Sequence, residues 1–319
     1  MRHDHDLTVL LLGWSSFAER RVAPALARLG VTRVDVASAT RTPALPAPLS
    51  GRVFTDYDDA LAASAASLVY VSTRNHDHVR WTTRALASGR HVVVDKPAVL
   101  EEQDAHALVA LSRRQQRLVA EATVYPWHPQ CAGARDFIAA HGPLTRITAT
   151  FLFPRLPEHN FRHRAHAGGG TLYDLGAYAL TPGRVFFDAA PTTISATAVQ
   201  LEGDEVETAF SVLLTYPEQR TLIGHFGSPG TYTNRLELSG PRFTITLEPA
   251  FTAPPDRATR VVGVADGQPI ALEVPPADAM AHFLDDVMTS AASGQHDRFA
   301  DAMLADAAAM ARLRAAAHR

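Results

Sequence analysis

The first 120 residues alternate short apolar runs with helical patterns, and no other feature constrains the fold as strongly. Five runs read as strands: "LTVLLLG", "RVDVAS", "SLVYVST", "HVVVD" and "RLVAEA". Such alternation predicts parallel strands joined by helices that cover the sheet. The connection after the second run is different, because "TRTPALPAPLSG" contains three prolines and predicts an irregular loop instead of a full helix.

After residue 122 the pattern changes to strands in which apolar and polar residues alternate, as in "LTRITATFLF" and "ETAFSVLLTY". Alternation of this kind predicts a mainly antiparallel sheet with one covered face. The covering helix is expected to begin near "GGGTLYDLGAYAL", and the Ala-rich end reads as two further helices. We therefore predict a parallel α/β domain over 1–122 and an α+β domain with a large open sheet over 123–319.

Composition narrows the class of partner and the compartment. A formal charge of −3 lacks the basic excess that nucleic acid requires, so the expected partner is a small molecule. The single cysteine, Cys131, cannot form an internal disulfide, and this fits a reducing cytoplasm. The apolar run "LTVLLLGW" is shorter than the roughly 20 residues of a membrane span, and "MRHDHD" is a poor start for a signal peptide. We expect a cytoplasmic protein that binds neither membrane nor nucleic acid.

A glycine follows the first strand directly and precedes a helix, in the segment "VLLLGWSSFAERRVAPAL". This is the position of the dinucleotide-binding turn in a Rossmann domain. Gly13 occupies the first fingerprint position, whereas Ser15 and Ala18 occupy the positions of the other glycines. The turn alone is equally compatible with an ordinary tight connection between a strand and a helix.

The end of the second strand bears on the choice of cofactor. An NAD-binding domain usually has an acidic residue there for the ribose diol, but this chain reads "VASATRT". Ser38, Thr40 and Arg41 suit a 2′-phosphate better. The sequence therefore favours NADP(H), with NAD(H) as the alternative.

The strand "HVVVD" ends on an acid, a base and a proline. Ligands of a parallel sheet bind beyond the carboxyl ends of its strands, and Pro97 stops the strand so that Lys96 lies at that edge. An amine there can hydrogen-bond a substrate hydroxyl and a cofactor ribose, and can act in acid-base chemistry. Asp95 is placed to orient it. The alternative is a solvated surface turn.

These motifs occur in an order that resembles the glucose-fructose oxidoreductase / inositol dehydrogenase (GFO/IDH/MocA) family. The similarity is carried by "STRNHDHVRWTTRALASGRHVVVDKP", "VYPWHPQ" and "GGGTLYDLGAYAL", and covers nearly the whole chain. It is greatest to the branch of ketoreductases acting on nucleotide-linked deoxysugars, through "NFRHRAHAGGGTLYDLGAYAL" and "TYTNRLELSG…AFTAPP". Three departures stand out: DKP in place of EKP, Ser15 in the turn, and the proline-rich loop.

The resemblance implies a set of site residues. The implied cofactor contacts are Gly13, Ser15, Ser16, Phe17, Ala18, Ser38, Thr40, Arg41, Ser72, Thr73, Asn75, His78, Asp95, Lys96 and Pro97. Tyr178 occupies a family position near the reacting carbonyl and is the candidate proton donor, with Lys96 as its rival or partner. Asp174 lies one helical turn before it and is the third catalytic candidate. The implied substrate contacts are His128, Asn160, Arg162, Tyr178 and Arg235. The alternative for Tyr178 is a ring that only packs on the sheet.

The resulting expectation is an NADP(H)-dependent reductase of a keto group on a sugar, linked to a nucleotide (dTDP), in deoxysugar metabolism. Two alternatives remain open. One is NAD(P)-dependent oxidation of a free sugar or cyclic diol, and the other is a non-catalytic protein that senses NADP(H). We expect no metal, because the histidines lack converging carboxylates, and the resemblance implies a homodimer or homotetramer.

Overall fold

The computed structural model describes residues 7–318, so the opening segment used in the prediction of compartment lies outside the described residues. The chain forms two compact units. The first comprises residues up to Thr123 together with Met280–Leu304, and the second comprises Val124–Ala279 and the chain after residue 304. Among the described residues, no helix combines the length and apolar character needed to cross a bilayer.

The first unit contains a six-stranded parallel sheet. Its strands are β1 (Thr8–Leu12), β2 (Arg33–Ala37), β3 (Val53–Phe54), β4 (Leu68–Val71), β5 (His91–Val94) and β6 (Val119–Glu121). Their order, β3-β2-β1-β4-β5-β6, is that of a Rossmann domain and confirms the predicted fold. From β1, the next two strands are added on one side of the sheet and β4 to β6 on the other. The loops that follow the neighbours β1 and β4 therefore lie together at the carboxyl edge of the sheet.

The helices of this sheet are α1 (Ala23–Arg28), α2 (Tyr57–Ala63), α3 (His78–Ala87) and α4 (Glu102–Gln115). A π-helical turn over Ala18–Val22 leads directly into α1. Residues 38–52 form an irregular connection without a helix, which confirms the prediction from the prolines. The sequence missed β3 and α2. Two residues are too few to show a pattern, and α2 is marked chiefly by Asp56, whose carboxylate accepts the amides of Asp58 and Asp59.

The last helices are α7 (Ala279–Ser293) and α8 (Asp297–Ala317). The predicted division assigned all residues after 122 to one domain, whereas Met280–Leu304 packs with the first unit. Arg113 of α4 pairs with Asp301 at 2.9 Å, and the rings of His91 and His296 meet edge to face at 5.3 Å. The sequence pattern could not show this return, because it depends on contacts between segments that are far apart along the chain.

The second unit contains an eight-stranded sheet in the order β14-β13-β12-β11-β7-β10-β9-β8. Its strands are β7 (Arg146–Leu152), β8 (Thr193–Val199), β9 (Ala209–Thr215), β10 (Thr221–Gly227), β11 (Thr233–Gly240), β12 (Phe243–Leu247), β13 (Thr259–Ala265) and β14 (Gln268–Val274). Only β7 and β10 pair in parallel, so the prediction of a mainly antiparallel sheet is confirmed. Helices α5 (Pro129–His141) and α6 (Thr171–Phe187) pack on one face. The other face exposes Val199, Leu213, Ile223, Val262 and Val264.

Candidate active site

The turn after β1 is shaped by Gly13. Its φ is +98°, and a Cβ there would lie 2.3 Å from the carbonyl oxygen of Ser72, so only glycine allows this close approach to the end of β4. Ser15 then accepts the amides of Ala18 and Phe17 at 3.0 and 3.2 Å and stabilises the start of the helix. Ser16 and Phe17 are exposed at the edge of the sheet, where a phosphate group can reach a helix N-terminus.

Lys96 belongs to a turn that is anchored on both sides. Before it, the Asp95 carboxylate accepts hydrogen bonds from Tyr70 Oη at 2.6 Å and Ser72 Oγ at 2.5 Å. After it, the Ala98 amide donates to Glu121 at 2.8 Å. Burial raises the pKa of Asp95, and the two hydroxyl donors oppose that rise. The interpretation of the triplet as a freely solvated surface turn therefore does not hold.

His78 lies beneath this turn. Its Nδ1 is 2.8 Å from the carbonyl oxygen of Pro97, and its Nε2 is 3.2 Å from that of Thr73. Burial lowers the pKa of His78, whose side chain has no exposed surface. Asn75, in the same loop after β4, is also buried. His78 thus joins the loops after β4 and β5, and any influence of His78 on a cofactor passes through those loops.

The loop after β2 brings together the residues expected at a 2′-phosphate. Ser38 Oγ donates to the Arg41 carbonyl at 2.6 Å, and Thr40 and Arg41 are exposed. The Arg41 guanidinium also donates to the carbonyl oxygen of Trp14 at 3.3 Å and to Glu19 at 2.7 Å. Arg41 therefore connects this loop with the turn after Gly13. Glu19 was missed by the sequence analysis, because only the fold brings it to Arg41.

The glycine cradle, the start of the helix and the acid-free end of β2 together fit a dinucleotide. Gly13, Ser16 and Phe17 would face the pyrophosphate, and Ser38 with Arg41 would face the adenosine ribose. Lys96 lies at the same carboxyl edge, after a strand adjacent to β4. These placements agree with the predicted cofactor contacts, and the contacts themselves stay a prediction.

In the second unit, Asp174 and Arg162 form an ion pair at 2.9 Å near the start of α6. Asn160 accepts the amide of Arg162 at 3.0 Å and fixes the short turn that carries it. Glu207 accepts the Leu172 amide at 2.9 Å, which satisfies one of the unpaired donors at the first turn of α6. A cavity of about 30 Å³, large enough for one water molecule, lies beside Arg162 and Asp174.

Tyr178 lies on α6 with its ring among aromatic side chains. The ring centroids of Phe251, Phe151 and Tyr125 are 5.0, 5.2 and 6.2 Å from it. The ring thus has the packing role that the sequence analysis held open. A packed ring can still present its hydroxyl group to a ligand, so the role of Tyr178 as proton donor stays a prediction.

Asn234 is a further residue that the sequence analysis missed as an individual. It is buried, and its Oδ1 accepts the amides of Ala250 and Phe251 at 3.0 and 2.8 Å. Its Nδ2 lies 2.6 Å from Thr252 Oγ1. It therefore joins the two segments "TYTNRLELSG" and "AFTAPP" and holds Phe251 against Tyr178. Both segments were recognised as motifs, but their contact depends on the fold.

Two predicted substrate residues have structural contacts of their own. His128 is buried and accepts the Gln130 amide at 3.3 Å as the cap of α5. Arg235 follows Asn234 on β11 and points to the open face of the sheet, where it pairs with Glu237 at 2.9 Å. Because α6 covers the opposite face, the structure does not bring Arg235 together with Tyr178 and Arg162. This placement corrects the grouping drawn from the sequence.

No group of three or more His, Cys, Asp or Glu side chains within residues 7–318 is arranged to hold a metal ion. The buried Cys131 is not a candidate nucleophile, because burial raises the pKa of its thiol to about 12.

Comparison with known proteins decides the family. A model of an oxidoreductase family with an NAD-binding Rossmann fold matches residues 7–123, and a GFO/IDH/MocA C-terminal domain model matches residues 134–246. The dTDP-3,4-didehydro-2,6-dideoxy-alpha-D-glucose 3-reductase of Saccharopolyspora spinosa is 32% identical over 252 residues, which cover 76% of this chain and 75% of that protein. The chain belongs to the GFO/IDH/MocA family of oxidoreductases. The predicted family and enzyme class are confirmed.

Two further similar proteins are linked to NADP. The crystal structure of KijD10, a 3-ketoreductase from Actinomadura kijaniata in complex with NADP and TDP-benzene, matches with a TM-score of 0.90 at 25% identity over 97% of both chains. The D-xylose 1-dehydrogenase (NADP(+)) 2 of Haloferax volcanii is 26% identical over 76% of this chain and 75% of that protein. The first was crystallised with NADP, and the second has NADP(+) in its name.

Proposed function

We propose that this GFO/IDH/MocA protein uses NADPH to reduce a keto group of a dTDP-linked deoxysugar. The observation that carries the proposal is the position of Lys96, whose turn is bonded through Asp95 to Ser72, the residue that Gly13 closely approaches. The lysine is thereby built into the edge where a Rossmann domain binds its dinucleotide. The similarity to the Saccharopolyspora spinosa reductase supports the choice of a dTDP-sugar as substrate.

The nicotinamide cofactor supplies hydride to the carbonyl carbon, and the protein orients the sugar and protonates the oxygen. We assign Tyr178 to donating the one proton that the reacting oxygen needs, with Lys96 as the alternative donor or as a hydrogen-bond partner of that oxygen. Asp174 acts on this chemistry through Arg162, because its carboxylate is paired with that guanidinium. Arg162 is assigned to the substrate's diphosphate.

NADP(H) is the cofactor we assign. The end of β2 has no acid to hold a free 2′-hydroxyl, whereas Ser38 and Arg41 lie there with groups suited to a phosphate. Titration of the protein with NADPH and NADH, followed by nucleotide fluorescence, tests the assignment. We expect tighter binding of NADPH, and a preference for NADH would contradict the assignment.

The decisive experiment for the activity incubates the purified chain with NADPH and dTDP-3,4-didehydro-2,6-dideoxy-alpha-D-glucose. Loss of absorbance from NADPH and a product two hydrogens heavier are expected. A chain that binds NADPH and leaves this sugar and its dTDP-linked keto analogues unchanged would contradict the proposal. That outcome would support the alternative of a protein that senses NADP(H).

A second candidate is the oxidation of a free sugar, because the Haloferax volcanii relative is a D-xylose 1-dehydrogenase. The same residues would serve, with Tyr178 or Lys96 accepting the hydroxyl proton instead of donating one. Incubation with NADP⁺ and D-xylose distinguishes the two candidates. Turnover of xylose at a kcat/KM above that of the keto sugar would favour the second.

Assembly and compartment are also proposals. The open face of the large sheet exposes Val199, Leu213, Ile223, Val262 and Val264, and pairing of two such faces would remove them from water. We propose a homodimer or homotetramer, to be tested by light scattering after gel filtration. The buried thiol of Cys131 forms no disulfide, which fits a reducing cytoplasm.

A further inference from the structure

Two departures from the family pattern, the serine in the glycine turn and the aspartate of the DKP triplet, are connected in the structure. Ser15 Oγ lies 2.7 Å from Ser72 Oγ, and Ser72 Oγ lies 2.5 Å from the Asp95 carboxylate. Ser72 is at the end of β4 between the two loops, and its side chain is buried. A line of hydrogen bonds therefore runs from the cofactor turn to the residue before Lys96.

The direction of this line follows from counting protons. Ser72 has one hydroxyl proton, and the carboxylate, which can only accept in its ionised form, takes it. The proton between the two serines must then come from Ser15. Ser15 in turn accepts the amides of Phe17 and Ala18, so every bond is donated toward Asp95. Bonds aligned in this way strengthen one another.

The groups around Asp95 are few and identifiable. Tyr70 of β4 donates to its second oxygen, and His78 of α3 and its own neighbour Lys96 are the nearby groups that can carry positive charge. Glu121 of β6 binds the same turn through the Ala98 amide. Burial raises the pKa of Asp95, while the hydroxyl donors and the positive charges oppose the rise.

We propose that Ser15 and Ser72 are positioning residues, which hold the Asp95 carboxylate in place beside Lys96 and connect the cofactor turn to the lysine. The proposal rests on the proposed function only for its effect on turnover.

The test measures the titration of Asp95 directly, by carboxyl ¹³C NMR, with its signal assigned from an Asp95→Asn variant. Ser72→Ala removes a donor to the ionised form, so Asp95 should be protonated at higher pH, with a rise of about one pH unit. Ser15→Ala should give a smaller rise, because it weakens the Ser72 bond without removing it. In turnover, the acid limb of the kcat profile should move upward by the same amounts.

Ser64→Ala is the matched control. Ser64 is also buried, and it donates at 2.7 Å to another buried carboxylate, that of Asp35. Asp35 lies on β2, away from Lys96. It should lower thermal stability as Ser72→Ala does, and leave the titration of Asp95 and the kcat profile unchanged. An Asp95 titration that stays unchanged in both Ser72→Ala and Ser15→Ala would overturn the proposal, as would an equal shift in Ser64→Ala.

The NMR measurement needs no substrate, so the outcome separates the two proposals. A shift of Asp95 in a protein that reduces no keto sugar would refute the proposed function and leave the positioning role standing. Reduction of the keto sugar, with a titration of Asp95 that the serine variants leave unchanged, would support the proposed function and refute the positioning role. If Ser72→Ala does not fold, Ser15→Ala still decides, because Ser15 lies in a partly exposed turn.

Discussion

Replacement of Asn234 by alanine is the sharpest test of how the second unit builds its site. The side chain is 1% exposed, and its Oδ1 is the acceptor for the amides of Ala250 and Phe251. Alanine at position 234 has no side-chain oxygen, so both amides lose this acceptor. The Ala250 amide retains a 3.0 Å bond to the Asn234 carbonyl oxygen, whereas the Phe251 amide depends on the side chain.

The magnitude follows from that difference. A buried donor that loses its acceptor costs about 1–3 kcal/mol, and the half-satisfied Ala250 amide adds a smaller loss of about 1 kcal/mol. The free energy of unfolding should therefore fall by about 2–4 kcal/mol. For a unit of this size, each kcal/mol lowers Tm by roughly 2–4 °C, so a decrease of at least about 4 °C is expected.

The assay is differential scanning calorimetry combined with steady-state kinetics. Phe251 packs on Tyr178 at 5.0 Å, so its loop should loosen and kcat should fall together with Tm. An unchanged Tm in Asn234→Ala would refute the reasoning, since the side-chain acceptor would then contribute no stability.

Three further predictions follow from the first unit. Lys96→Met should lower kcat at least about 100-fold while NADPH binding, measured by fluorescence, stays within a few-fold; unchanged turnover would remove the lysine from the chemistry. Glu19→Gln releases Arg41 from its ion pair at 2.7 Å and should tighten NADPH binding severalfold but not NADH binding; an equal effect on both nucleotides would contradict it. Burial lowers the pKa of His91 in the folded protein to about 4. Between pH 6.5 and 4 the unfolded chain therefore binds a proton at His91 that the folded protein does not. The free energy of unfolding falls over this range as the pH is lowered. Between pH 6.5 and 4, the Tm of His91→Gln should therefore fall less than that of the wild type. Parallel plots of Tm against pH for the two proteins would argue against a lowered pKa of His91.

The strands were predicted from sequence where local patterns were strong. β1, β2, β4, β5 and β6 each contain a short apolar run, and β7 to β12 alternate visibly. The two missed strands of the large sheet, β13 and β14, carry Gly263 and Pro269, which local patterns assign to loops. Pro269 is accommodated because β14 is an edge strand.

The sequence predicted which residue types form the candidate site, but it did not predict the hydrogen bonds between them. Lys96 and the glycine turn were recognised from their places after strands. The bonds from Ser15 through Ser72 to Asp95 join residues 57 and 23 positions apart, and no local pattern encodes such pairs. Arg235 was misplaced for a related reason: its residue type suited a phosphate, but the alternation along β11 turns it to the face opposite α6.

The sequence by itself determined the class of fold, the cofactor edge and the family, because these depend on periodicity and on glycine and proline, which act within a few residues. Tertiary structure decided that Met280–Leu304 returns to the first unit, that His78 is buried beneath the lysine turn, and that Asn234 holds Phe251 on Tyr178. The physical reason is that hydrogen bonds and packing act over ångströms in space, whatever the separation of their partners along the chain.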